Sequence, residues 1–145
     1  MKRQEKPVGL TKDVGWQFGL SRTFLYPQAY VWDFMFSKQG LQIWLGELEE
    51  ELEIKKAYKT TEEIEGLVRV FKPYSHIRMN WKMKKWKNLS TLQVRVMGNQ
   101  EKTTISFHQE KLLDNSQREE MKKYWNEKMI KIEKALVSKE IASIG

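Results

Sequence analysis

The chain has 145 residues, 40% of them apolar and 12% aromatic, a composition that suits one globular domain and excludes an intrinsically disordered chain. It contains no cysteine, so neither a disulfide framework nor a thiolate metal site is available. The net charge of +7 raises nucleic acid as a partner, but its distribution suggests otherwise. Residues 47–65 hold eight glutamates against three lysines, and residues 66–100 hold eight Lys and Arg with no acid. Adjacent antiparallel strands with opposite charges facing each other give this pattern, and a functional basic face is the alternative.

The N-terminal stretch MKRQEKPVGL carries basic residues but no apolar run after them. The densest aromatic run, YVWDFMF at 30–36, is far too short to span a bilayer. A soluble cytoplasmic protein is expected, with residues 1–13 as an N-terminal tail.

The first element is a strand, because Trp16, Phe18 and Leu20 alternate with Gln17, Gly19 and Ser21. A helix opens at Tyr26-Pro27, with Pro27 at the first helical position, where its missing N–H costs nothing. Val31, Phe34 and Met35 form one apolar stripe of it and Trp32 with Phe36 a second, so it is expected to be sandwiched. Gly40 is expected to end it, and LQIWLG makes a short helical turn up to Gly46. Antiparallel strands with one wet side follow. Leu52, Ile54 and Tyr58 mark the first, and Ile64, Gly66, Val68 and Val70 the second, which Pro73 stops. Ile77, Met79, Trp81 and Met83 share one face of the next, with Arg78, Asn80, Lys82 and Lys84 opposite. Leu92, Val94 and Val96 lead into the turn MGNQ, and Ile105 and Phe107 continue after it.

The last element is a helix over residues 116–137, roughly 33 Å long. Ser116 and Glu119 form an S-x-x-E capping box, and Met121, Trp125, Met129, Ile132 and Leu136 fall on one face. Residues 138–145 are expected to be a frayed tail. One long helix must cover a sheet face, so the fold class is α+β in two layers, and a gap between helix and sheet is a natural apolar pocket.

Several stretches together carry a family resemblance: VGWQFGLSRTF into YPQAYVWDFM, then GLQIWLGE, IRMNW, KTTISFHQEKL and REEMKKYWNEKMIKIEKAL. Over residues 14–137 the chain resembles the SRPBCC superfamily, of START and birch-allergen type. More narrowly it is similar to the bacterial branch that looks like the C-terminal domain of the activator of the heat-shock ATPase. The resemblance implies a helix-grip fold, in which a curved antiparallel sheet wraps around the C-terminal helix and two short helices follow the first strand. It also implies a hydrophobic cavity between sheet and helix, and it implies no single activity. The sequence departs from relatives at Tyr26, in the cap position of the first helix, and in its lysine-rich stretch at 78–87. The eukaryotic co-chaperone carries a further N-terminal domain that a chain of this length is not expected to hold, so ATPase activation is not the expected activity.

No catalytic residues, metal site or cofactor are expected. The two histidines, His76 and His108, have no acid at ligand spacing, and no P-loop, G-x-S-x-G or G-x-G-x-x-G occurs. The expected function is non-enzymatic binding of a small hydrophobic ligand, with Trp44, Met79, Trp81, Met83, Trp125 and Met129 as the binding residues. Methionine is adaptable and suits varied apolar ligands, although the same stripes are what a packed core requires. The alternative is a protein-interaction or co-chaperone-like stress-response module. It would use Lys82, Lys84, Lys85 and Trp86 to meet a partner such as a chaperone. Alternation separates Trp81 from Lys82 and Lys84, leaving only Trp86 as a base-stacking surface, so nucleic acid is not an expected partner.

Overall fold

A computed structural model of the chain describes residues 10–11 and 15–144. The expected tail 1–13 therefore lies outside the described residues except for Leu10–Thr11, which form a short strand β1. The remaining elements are β2 (Gly15–Phe24), α1 (Gln28–Met35), α2 (Lys38–Trp44), β3 (Ala57–Lys59), β4 (Glu65–Lys72), β5 (His76–Trp81), β6 (Ser90–Gly98), β7 (Thr103–Leu112) and α3 (Asn115–Ile144). The strands form one curved antiparallel sheet in the order β1-β2-β7-β6-β5-β4-β3. The strands from β3 to β7 follow as consecutive hairpins, while α1 and α2 carry the chain from β2 across to β3. The α3 helix lies over the inner face and closes the core, its Met121, Trp125, Met129, Ile132 and Leu136 all fully buried. The result is the expected α+β helix-grip arrangement.

Local chemistry shifts several boundaries. Pro27 is the cap of α1 and Gln28 the first helical residue. No side chain caps that end, and the Gln28 N–H donates instead to the carbonyl of Asn99 in the β6–β7 turn at 2.8 Å. Gly40 does not end the first helix but sits inside the second. The break falls at Phe36–Ser37, where the Ser37 hydroxyl accepts from the Gly40 N–H. Glycine is required at 40 for another reason: a Cβ there would lie 1.9 Å from the Phe34 carbonyl oxygen, so the two helices could not meet so closely.

The strand expected through Leu52, Ile54 and Tyr58 shrinks to three residues, Ala57–Lys59. The glutamate-rich stretch before it has poor strand propensity and runs as loop. In β4 the register slips between Val68 and Val70, turning Val70 outward, and Phe71 packs inward against Phe36 and Trp32.

The cap of α3 also differs from the expected Ser116 box. Asp114 Oδ1 accepts from the Gln117 N–H at 2.8 Å, while Gln117 Oε1 accepts from the Leu113 N–H at 2.8 Å. The same reciprocal logic operates two residues earlier, with Asp and Gln in place of Ser and Glu. At its far end α3 continues to Ile144 rather than stopping at 137. Side chains from the start of the fold hold that last stretch. The Tyr26 hydroxyl donates to Glu140 at 2.8 Å, the Tyr30 hydroxyl donates to the Leu136 carbonyl at 3.2 Å, and the Lys139 ammonium lies 4.3 Å from the Tyr30 ring centre. At 30 residues the helix is about 45 Å long.

The cap assignment predicts unequal costs. Asp114→Ala should destabilise the protein by about 1 kcal/mol and Ser116→Ala by no more than a few tenths, measured by urea denaturation. Equal losses would return the cap to Ser116.

Candidate functional site

The middle of the space between α3 and the sheet is filled. Trp125 stacks on Phe107 of β7, with centroids 4.6 Å apart and planes 17° from parallel. Trp81 of β5 meets Trp125 at 5.8 Å, and Trp44 of α2 meets Phe107 at 6.3 Å. Met79 and Met129 belong to the same cluster, and none of these side chains reaches solvent.

A polar chain threads this apolar cluster. The Trp125 indole N–H donates to Gln109 Oε1 at 2.8 Å, and the Gln109 amide donates to the Ser90 hydroxyl at 2.9 Å. Ser90 in turn donates to the Trp81 carbonyl, and both Gln109 and Ser90 are fully buried. A buried donor without a partner is costly, so this chain fixes where Trp125 sits against the sheet. The strand alternation already places Gln109 on the inward face with Ile105 and Phe107, and a glutamine there is the signal that sequence reasoning missed.

Beside the cluster, an open cleft of about 700 Å³ lies between the end of α2, the β3–β4 turn, the segment after β5 and the flank of α3. Leu45, Ile64, Met83 and Tyr124 make its apolar walls, and Gln42, Glu62, Lys84, Lys85 and Lys128 its polar rim. Gly46 shapes one edge: its φ is +132°, and a Cβ there would come within 2.7 Å of Glu62 Oε2. Of the residues expected to bind ligand, only Met83 lines this cleft. Trp44, Met79, Trp81, Trp125 and Met129 lie behind it in the packed core.

Two groups of the cleft, Tyr124 and Lys128, are perturbed chiefly by burial. The Tyr124 phenol is pushed up to about 12 by burial and then by the negative charge of Glu62, so it stays a neutral donor. Tyr58, whose hydroxyl donates to the Asn80 carbonyl, is also raised, first by burial and then by Glu65 and Tyr124. The Lys128 amine is lowered, first by burial and then by Lys131, against the opposing pull of Glu62 and Glu127. Its Nζ lies 4.9 Å from the Tyr124 ring centre. A second cleft, of about 430 Å³, sets the apolar side chains of Phe36, Leu41, Leu48, Leu52 and Phe71 against the glutamates at 47 and 49–51.

The lysine-rich turn resolves into different roles. The Trp86 N–H donates to the Met83 carbonyl at 3.0 Å, a turn that folds Trp86 back onto Trp81 in an edge-to-face contact at 5.2 Å. Trp86 is thus 5% exposed, a correction to its expected place on the surface, because the Trp81 ring gives it an apolar partner. Lys82 is half-buried and pairs through its backbone with Glu65. Lys84 and Lys85 are exposed, and pair with Glu63 at 3.0 Å and Glu120 at 3.2 Å. The Lys84 pair joins the acidic segment to the basic one, as the charge pattern suggested. His108 contacts Gln17 at 3.0 Å and His76 contacts Ser75 at 2.8 Å. Among the described residues, no group of three or more His, Cys, Asp or Glu is placed to hold a metal, and no helix is long and apolar enough to cross a membrane.

The sequence matches the family model of the Activator of Hsp90 ATPase homolog 1-like protein over residues 26–137. The chain belongs to this family. No curated protein matches the sequence. Among solved structures, the AHSA1-like chain is similar to DynU16, from the dynemicin biosynthetic locus, with a TM-score of 0.75 and 14% identity. That match covers 83% of this chain and 46% of DynU16, so this chain spans less than half of that protein. CalU16 from Micromonospora echinospora matches with a TM-score of 0.71 and 13% identity, over 80% of this chain and 71% of that one. An HSP90 activator from Plasmodium falciparum matches with a TM-score of 0.58 and 16% identity, over 67% and 74%. At such identities these likenesses show the fold, which all share with the AHSA1-like domain.

In this AHSA1-like domain, Gln109→Leu should lower stability by about 1–3 kcal/mol, because it strands the Trp125 N–H in an apolar core. Urea denaturation followed by tryptophan fluorescence measures it. A neutral result would show that the polar chain does not hold α3 in place.

Proposed function

We propose that this domain binds a small apolar molecule, without converting it, in the cleft walled by Leu45, Ile64, Met83 and Tyr124. The observation that supports this reading most is the location of the cleft. It lies along the flank of α3 against the end of α2 and the segments that follow α2, β3 and β5, and its walls present apolar surface from four different segments of the chain. Its size lies within the range of small-molecule sites. Met83, unbranched and half-buried, can adapt its shape to a guest. The origin of DynU16 in a biosynthetic locus lends support from outside the chain.

Native mass spectrometry of freshly purified protein should find a co-purified apolar molecule, and apolar cell extracts should raise the melting temperature. Met83→Asp places a charge on the cleft wall and should abolish that rise while leaving the fold intact. An equal rise in the variant would remove the cleft from consideration. No adduct and no rise in the wild type would contradict ligand binding altogether.

A second reading, a protein-interaction or co-chaperone-like module in a stress response, is favoured by the family match and by the exposed Lys84 and Lys85. It predicts salt-sensitive binding to an acidic surface of a chaperone such as the heat-shock ATPase, weakened by Lys84→Glu with Lys85→Glu. Unchanged pull-downs with this double variant would rule against it.

A further inference from the structure

The cleft contains a cation that its surroundings leave without a counter-ion. Lys84 and Lys85 on the rim are each paired with a glutamate, Glu63 and Glu120. Lys128 differs: among the described residues no carboxylate lies within ion-pairing distance of its Nζ, whose close neighbour is the face of Tyr124. Glu62, folded against Gly46 at the rim, attracts it only through space, and burial outweighs that attraction. A half-dried ammonium facing apolar walls is short of the anionic neighbour that would offset its desolvation.

We propose that the ligand is an amphiphile bearing one carboxylate, its apolar body on Leu45, Ile64 and Met83 and its carboxylate on Lys128 Nζ. This assignment rests on the cleft being the ligand site. Tyr124, whose ring face lies against Lys128 and whose phenol stays protonated, lines the same cleft. A head with two negative charges fits less well, because Lys84 and Lys85 are already paired and Glu62 repels added negative charge. A neutral amphiphile would leave Lys128 as it is in the free protein.

The test is isothermal titration of the full chain with decanoate and with 1-decanol, which share a body and differ in the head. Decanoate should bind roughly tenfold or more tightly than the alcohol, as a charge-assisted contact implies. That advantage should shrink with added salt. Lys128→Met, which replaces the ammonium by an apolar chain of similar length, should bind both alike, and Lys128→Arg should keep the preference. Circular dichroism establishes that each variant is folded.

Equal binding of acid and alcohol by the wild type would overturn the carboxylate assignment and leave the cleft reading standing. A preference that survives in folded Lys128→Met would place the anion elsewhere and overturn it too. Binding of neither molecule, together with the absence of any co-purified ligand, would overturn both.

Discussion

Trp125 reaches from α3 to the hydrogen bond offered by Gln109, and the shape of the space between helix and sheet follows from that contact. The indole must lie flat on Phe107 to reach the amide, which puts a large ring in the centre of the gap. Trp81 then packs against it and Trp44 against Phe107, and the middle of the sheet has no room left for a guest. Beyond the end of β5, to one side of this packed centre, the flank of α3 borders an open cleft, and there Tyr124 and Lys128 are the helical side chains that line it. The closed centre and the open flank are therefore two results of one anchoring contact.

Charge is organised around the same flank. Glu63 and Glu120 hold Lys84 and Lys85 from two directions, one from the β3–β4 turn and one from α3. Such exposed pairs contribute little stability each, but they settle which cations are already engaged. Within the lysine-rich turn, two of the exposed cations are thus already paired, and burial of Trp86 removes the aromatic that a single-stranded nucleic acid would need. Of the three lysines that line the cleft, Lys128 is the one without an ion pair among the described residues.

Much of this was legible in the sequence. Period-two alternation gave the inward faces of β5, β6 and β7, and three- and four-residue steps gave the buried stripe of α3 without error. The misses share physical causes. Alternation reports which face a side chain takes, not how deep it lies. Met79, Trp81 and Met83 therefore looked equivalent, although only Met83 lies beyond the packed rings. A bulge between Val68 and Val70 reverses the alternation, and no residue type there announces it. Two plausible caps, Asp114 and Ser116, compete within three residues, and the one whose partner also satisfies the Leu113 N–H is used. Trp86 folds under because a turn at Met83 brings it to Trp81, a contact set by geometry across the turn. Tyr124 and Lys128 sit on the flank of an amphipathic helix, where the pattern assigns neither core nor solvent.

The central claim is that a ligand occupies the flank of the fold and not its centre. Methyl-labelled methionine separates the two directly, because Met83 lines the cleft while Met79 and Met129 are sealed among the tryptophans. In a carbon-13 methyl NMR titration with an apolar ligand, the Met83 signal should move first and furthest, with Met79 and Met129 nearly unchanged. Early, large shifts of Met79 and Met129 with Met83 still would put the ligand in the centre and contradict the account.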